Sequence, residues 1–193
     1  MTSLDGYVGT LVRVVRAAAV SDRDGQRVDL NLAVKHMGEA MQAAHDRGNK
    51  LMFVGNGGSA GICSHMAIDY SKNGGMRATA FNDGAALTCL ANDLGYDQVF
   101  AKQIDLHARP GDIVVAISSS GRSANILKAV DKARQRECHI YTLSGFDTDN
   151  PLRSMGDLNI FLASHEYGFV EVGHLTLLHA VLDLRLGWNP ARQ

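Results

Sequence analysis

Cysteine and proline are scarce, with three of each, and aromatic residues make up only 6% of the chain. The cysteines, Cys63, Cys89 and Cys138, are odd in number and show no CxxC spacing. That speaks against a disulfide framework or a cysteine zinc knot and makes a reducing cytoplasm the expectation. Neither sign of charge prevails: 19 basic and 20 acidic side chains leave a net charge of −1. Bulk electrostatic binding of nucleic acid or membrane is therefore not expected. No apolar run approaches the roughly 18–20 residues of a membrane span. Met1-Thr2-Ser3-Leu4-Asp5-Gly6 also lacks the basic-then-apolar order of a signal peptide. Repeats, low-complexity tracts and proline-rich linkers are missing too. What remains is an ordinary globular mix, 46% hydrophobic and 20% charged over 193 residues. That is enough for one domain with a helical extension.

The first fifty residues contain no strand-like run. Leu30, Ala33, Val34, Met37, Ala40, Met41 and Ala44 repeat at helical spacing and predict an amphipathic helix, with Gly48 as its C′ glycine. A shorter helix is expected over Leu4 to Ala19, joined to the second by the polar stretch Ser21 to Gln26. From Lys50 onward strands and helices alternate. Strands are expected at Leu51–Val54, Ala78–Phe81, Asp112–Ile117, His139–Leu143 and Leu158–Leu162. Helices follow the first loop and cover Ala85–Asn92, Gln98–Leu106, a stretch ending at Ala133, and Val170–Leu186. Runs that are apolar on both faces predict a parallel sheet covered on both sides. The expectation is an α/β domain, a three-layer αβα sandwich with a five-stranded parallel sheet. Its span is 49–187, preceded by a helical hairpin at 1–48 and followed by a tail at 188–193.

In such sheets ligands bind beyond the carboxyl ends of the strands. Two strand-ending loops stand out there. Gly55-Asn56-Gly57-Gly58-Ser59 lets the backbone approach a ligand and aims N–H groups and a helix N-terminus at it. It is neither a GxGxxG nor a Walker loop, so no nucleotide cofactor is indicated. Ser118-Ser119-Ser120-Gly121-Arg122-Ser123 packs four hydroxyls into six residues. That exceeds what helix capping needs and suits a phosphomonoester, with Arg122 expected to face solvent. His65 and Asp69 lie four apart on one helix face, either a chemical pair or, more commonly, a polar surface. On the last helix, Glu171 and His179 are separated by about 12 Å of rise. They share a metal only if both reach inward or if different subunits contribute. His174 diverges from His179 by about 140° and reads as a packed histidine.

Taken together, Gly55–Ser59, Ala91-Asn92-Asp93-Leu94-Gly95-Tyr96 and Ser118–Asn125 resemble the sugar isomerase (SIS) fold, a flavodoxin-like sandwich. Within it the chain most resembles the phosphoheptose isomerase family, from about Leu30 to Leu186. The resemblance implies a cytoplasmic homotetramer with interfacial active sites. It also implies conversion of sedoheptulose 7-phosphate into D-glycero-D-manno-heptose 7-phosphate, through an enediol, for heptose-containing glycans. It assigns phosphate binding to Ser59, Ser118, Ser119, Ser120 and Ser123, and sugar contacts to Asn56, Gly57, Gly58 and Asp93. It places one zinc ion per subunit on His65, Asp69, Glu171 and His179. Asp69 is implied as the base and His179 as the proton shuttle between oxygens, with Glu171 as the alternative base. Three departures stand out: Asp69 where the family has Glu, Glu171 where it has Gln, and Gly168-Phe169 where it has an Asp-Arg pair. Two further readings belong to the same fold, a non-enzymatic protein that binds a replication initiator and a sensor or isomerase of another sugar phosphate.

Overall fold

The computed structural model describes residues 3–192, so Met1 and Thr2 of the expected hairpin and Gln193 of the expected tail lie outside it. Helix α1 (Leu4–Arg16) is capped by Ser3, whose hydroxyl accepts from the Gly6 amide. It is followed by β1 (Ala19–Asp22) and β2 (Arg27–Val28), and then by α2 (Leu30–Asp46), capped by Asp29. Helix α2 buries Ala33, Val34, Met37, Met41 and Ala44, the helical stripe expected from the sequence. It ends before Gly48, whose φ of 83° is the left-handed conformation a C′ glycine supplies.

The alternating region contains β3 (Leu51–Gly55), α3 (Gly57–Lys72), β4 (Ala78–Ala80), α4 (Gly84–Leu94), α5 (Val99–His107) and β5 (Ile113–Ser118). After these come α6 (Ala124–Gln135), β6 (His139–Gly145), β7 (Leu158–Leu162) and α7 (Tyr167–Arg185). The sheet order is β2-β1-β7-β6-β5-β3-β4, and the five strands from β7 to β4 are parallel. The sheet therefore has seven strands and is mixed, where five parallel strands were expected. The additional pair is the β1–β2 hairpin, which joins the edge of β7 antiparallel with Val20 opposite Ile160. Its strands are too short to show a period, and Val20 is the one buried residue of β1. The polar stretch expected as a linker between two helices is the hairpin turn, in which Asp22 accepts from the amides of Asp24 and Gln26.

Side chains alternate across the buried strands. Leu51 and Phe53 of β3 and Ile113, Val115 and Ile117 of β5 face a core shared with α2, α3 and α7. Met52 and Val54, with Val114 and Ala116, face a second core shared with α5 and α6. This is the three-layer αβα sandwich, and α2 belongs to the first core together with the sheet. At the amino ends of the strands, the buried Asp112 carboxylate accepts from the Lys50 ammonium at 2.5 Å. It also accepts from the amides of Lys50 and Arg109 and from the Asn49 side chain. Burial pushes this carboxyl up, but the Lys50 ammonium and these donors outweigh it and hold the group below the usual carboxylate range. Cys63 and Cys138 are buried and free, and Cys89 is exposed and free. Among the described residues no helix is long and apolar enough to cross a membrane.

His174 is fully buried on α7, and its Nε2–H donates to the Ser144 carbonyl at 3.1 Å. It is the packed histidine expected from its position. Burial drives its pKa down to about 4, from an ordinary value of 6.5, against the opposing pull of that hydrogen bond. The unfolded chain therefore binds the extra proton first, and stability present above pH 6.5 is lost as the pH falls toward 4. Urea denaturation at pH 7 and pH 5 is expected to show a loss of about 2 kcal/mol from this group. In His174→Gln that part of the pH slope disappears. An unchanged slope in the variant contradicts the assignment.

Candidate active site

Neighbouring parallel strands β3 and β5 are in register, Gly55 opposite Ile117, so both unusual loops leave the same sheet edge side by side. Between them lies a cleft of about 220 Å³, lined by Asn56 to Ser59, Ser118 to Ser120, Ser123, Ile117, Tyr167 and Glu171. Backbone rules explain the glycines. A Cβ on Gly55 would sit 2.8 Å from the Ser59 backbone, so only glycine lets the chain turn this tightly into α3. Gly121 has φ +62°, and a Cβ there would lie 1.9 Å from Asn150 Oδ1.

The helices that start at this cleft are not capped by side chains. Asn56 precedes α3 and Ser123 precedes α6, and neither makes a capping hydrogen bond, whereas α1, α2 and α4 are capped. The Ser123 hydroxyl lies 3.3 Å from that of Ser118 instead. The Ser119 hydroxyl is buried with no hydrogen-bond partner among the described residues. Ser118 Oγ also accepts from the Gly121 amide and Ser120 Oγ from the Arg122 amide. The free groups are therefore the Ser119 hydroxyl and the N–H groups at two helix N-termini, a cradle for an anion such as a phosphomonoester. As expected, Arg122 turns away, pairing with Asp149 at 2.6 Å on the surface.

The second constellation comes from α3 and α7. His65 and His179 approach to 3.1 Å between their Nε2 atoms. The Asp69 carboxylate lies 3.4 Å from His65 Nε2 and 3.7 Å from His179 Nδ1. One donor atom from each of the three falls within 4.8 Å of the others. The helices are held there by Tyr70, next to Asp69, whose buried hydroxyl donates to the carbonyl of Leu178, next to His179. Two imidazoles and one carboxylate are the donor types zinc takes. Three protein ligands with an open position are the pattern of catalytic rather than structural zinc sites, so these residues fit the ion.

The remaining sequence candidates fall elsewhere. Glu171 is not part of the triad; its carboxylate lies against Gly58 in the serine cleft, where a Cβ on Gly58 would meet it at 2.3 Å. Asp93 is exposed on α4, where it accepts from Asn92, and it does not line the cleft. Asn56 does line the cleft but spends its amide on Asn125, in two hydrogen bonds of 2.9 Å each. Two residues that sequence reasoning missed complete the picture. Tyr167 lines the cleft from the first turn of α7, edge-on to Phe146 at 4.9 Å. Tyr96 donates its hydroxyl to Asn56 Oδ1 at 3.1 Å. Tyr96 ended one of the quoted motifs; nothing in spacing marks Tyr167.

Comparison with known proteins accords with this geometry. Residues 23–145 match the SIS domain, the family of αβα proteins to which the chain belongs. The phosphoheptose isomerase of Pelobacter propionicus is 36% identical over 162 residues, 81% of this chain and 85% of that one. The phosphoheptose isomerase of Neisseria gonorrhoeae superposes with a TM-score of 0.79 at 30% identity, over 94% of this chain and 97% of its own. That of Francisella tularensis superposes with a TM-score of 0.80 at 27% identity, over 97% of this chain and 100% of its own. The chain is a member of the phosphoheptose isomerase family.

The two cleft glycines separate loop integrity from cleft shape. Gly121→Ala must place a methyl group on Asn150 at a left-handed φ and is expected to cost about 1–3 kcal/mol in urea denaturation. Gly58→Ala meets only the mobile end of Glu171, so its urea midpoint is expected to stay near wild type. Equal losses in both variants would contradict the different roles given to these glycines.

Proposed function

We propose that the chain is an aldose–ketose isomerase that converts sedoheptulose 7-phosphate into D-glycero-D-manno-heptose 7-phosphate, the step that opens heptose supply for glycans. The observation that carries this reading is that α3 bears an anion cradle at its N-terminus and, less than two turns further on, two of the three donors that His179 of α7 completes. From Ser59 to His65 the helix rises about 9 Å. A seven-carbon ketose phosphate is long enough to leave its phosphate in the cradle and bring C1 and C2 to the triad.

Ser59, Ser118, Ser119, Ser120 and Ser123 bind the phosphate and fix the sugar chain, with Asn56, Gly57 and Gly58 along it. His65, Asp69 and His179 would hold a zinc ion, which when bound would supply Lewis-acid polarisation of the sugar carbonyl. The Asp69 carboxylate removes a proton from C1 of the ketose. The C1–H electron pair becomes the C1–C2 double bond of a cis-enediol, and the carbonyl O2 gains a proton. Asp69 then returns its proton to C2 as O1 becomes the aldehyde oxygen. His179 carries the proton from O1 to O2. Positioning and acid–base work of this kind each supply several powers of ten in rate. Glu171, in the cleft rather than the triad, is placed to orient the sugar hydroxyls and remains the second candidate for base.

The working assembly in this proposal is a cytoplasmic homotetramer with active sites shared between subunits. Helix α1 supports it: the helix buries no residue, yet it exposes Leu4, Tyr7, Val8 and Val12. Leu184, Leu186 and Trp188 at the end of α7 are similarly half-exposed.

The test is turnover of sedoheptulose 7-phosphate by protein of measured zinc content. Wild type is expected to carry one zinc per subunit and to turn over. Asp69→Ala and His179→Ala are each expected to lose at least a hundredfold in kcat, the scale of a removed acid–base group. Zinc-loaded wild type that leaves the ketose phosphate unchanged would sink the proposal.

A further inference from the structure

Two residues outside the serine cleft, Asn125 and Tyr96, hydrogen-bond to Asn56, which lines it. Asn56 stands where α3 would be capped, and its side chain is drawn away from that role. Its Nδ2 donates to Asn125 Oδ1 and its Oδ1 accepts from Asn125 Nδ2, each at 2.9 Å, closing a ring of two hydrogen bonds. Asn125, in the first turn of α6, is 3% exposed and does not line the cleft. The Tyr96 hydroxyl adds a third hydrogen bond to Asn56 Oδ1 from the turn that follows α4.

We propose that Asn125 and Tyr96 are positioning residues for phosphate binding. Through the Asn56 amide they hold the N-termini of α3 and α6 at a fixed separation, with both left free of side-chain caps for the anion.

Two properties of the pair favour this reading over simple core packing. The two amides bond reciprocally, and the Asn125 half of the pair is buried, so opening it would leave a buried amide without that partner. The bond also links the two ligand-binding loops directly to one another, across neighbouring strands, rather than tying either to the core. If Asn56 were released it would become an ordinary N-cap, and its oxygen would compete with the anion for the first amides of α3.

The inference rests on the serine cleft being a phosphate site, and the experiment separates it from the isomerase reading. Inorganic phosphate binding is measured by calorimetry on the full chain for wild type, Asn125→Asp and Tyr96→Phe. Asn125→Asp keeps the side-chain volume but places an acceptor against Asn56 Oδ1. Its phosphate dissociation constant is expected to rise at least tenfold. Tyr96→Phe removes one hydrogen bond from an exposed ring and is expected to raise the constant several-fold. With sedoheptulose 7-phosphate as substrate, the rise in KM is expected to exceed the fall in kcat in both variants. A lowered melting temperature with phosphate affinity unchanged would mark the pair as merely structural and overturn the inference. If Asn125→Asp does not fold, wild-type phosphate affinity in Tyr96→Phe overturns it alone. Wild type that fails to bind phosphate also overturns it. Wild type that binds phosphate without isomerising the ketose phosphate removes the isomerase reading and leaves this one standing.

Discussion

The packing of α3 across α7 is the constraint on which the site depends. One end of α3 is fixed by β3, through a turn that only glycine at 55 allows. Its body is fixed by the Tyr70 hydroxyl on the Leu178 carbonyl, both buried. Because His65 and Asp69 precede Tyr70 and His179 follows Leu178, this contact brings the three donors together. The same helix presents its uncapped N-terminus to the serine loop. A rotation of α3 by one residue, about 100°, would separate the imidazoles and turn Ser59 out of the cleft together.

The cleft keeps several polar groups outside the fold's own hydrogen bonding. The Ser119 hydroxyl has no protein partner among the described residues and lines the cleft. Two helix N-termini forgo caps that are each worth about 1 kcal/mol. At the opposite end of the strands the Asp112 carboxylate, saturated with donors, ties β3 to β5. An anion bound in the cleft would meet the N–H groups of α3 and α6 and the Ser119 hydroxyl.

Much of this was legible in the sequence. The five parallel strands announced themselves as short apolar runs, and the stripe from Ala33 to Ala44 lies on the buried face of α2. The two loops were marked by a glycine cluster at a strand's carboxyl end and by four serines in six residues, more than capping needs. The β1–β2 hairpin was not legible, because four residues with one buried valine carry no period. The triad was only half visible. Spacing paired His65 with Asp69, but nothing local says that His179, more than a hundred residues on, packs against them. Helical geometry left Glu171 and His179 about 12 Å apart along one helix, and the structure keeps them in separate places, one in the cleft and one in the triad. Tyr167 and the Asn56–Asn125 pair depend on tertiary contacts that no window of sequence contains.

The central claim is that one sugar phosphate bridges the serine cradle and the His65–Asp69–His179 triad. The direct measurement is a crystal structure of zinc-loaded Asp69→Ala with sedoheptulose 7-phosphate bound. The account predicts the phosphate among Ser59, Ser118, Ser119, Ser120 and Ser123, with C1 and C2 beside His179. A phosphate bound away from these serines, or a sugar whose C1–C2 end points away from the triad, would contradict it.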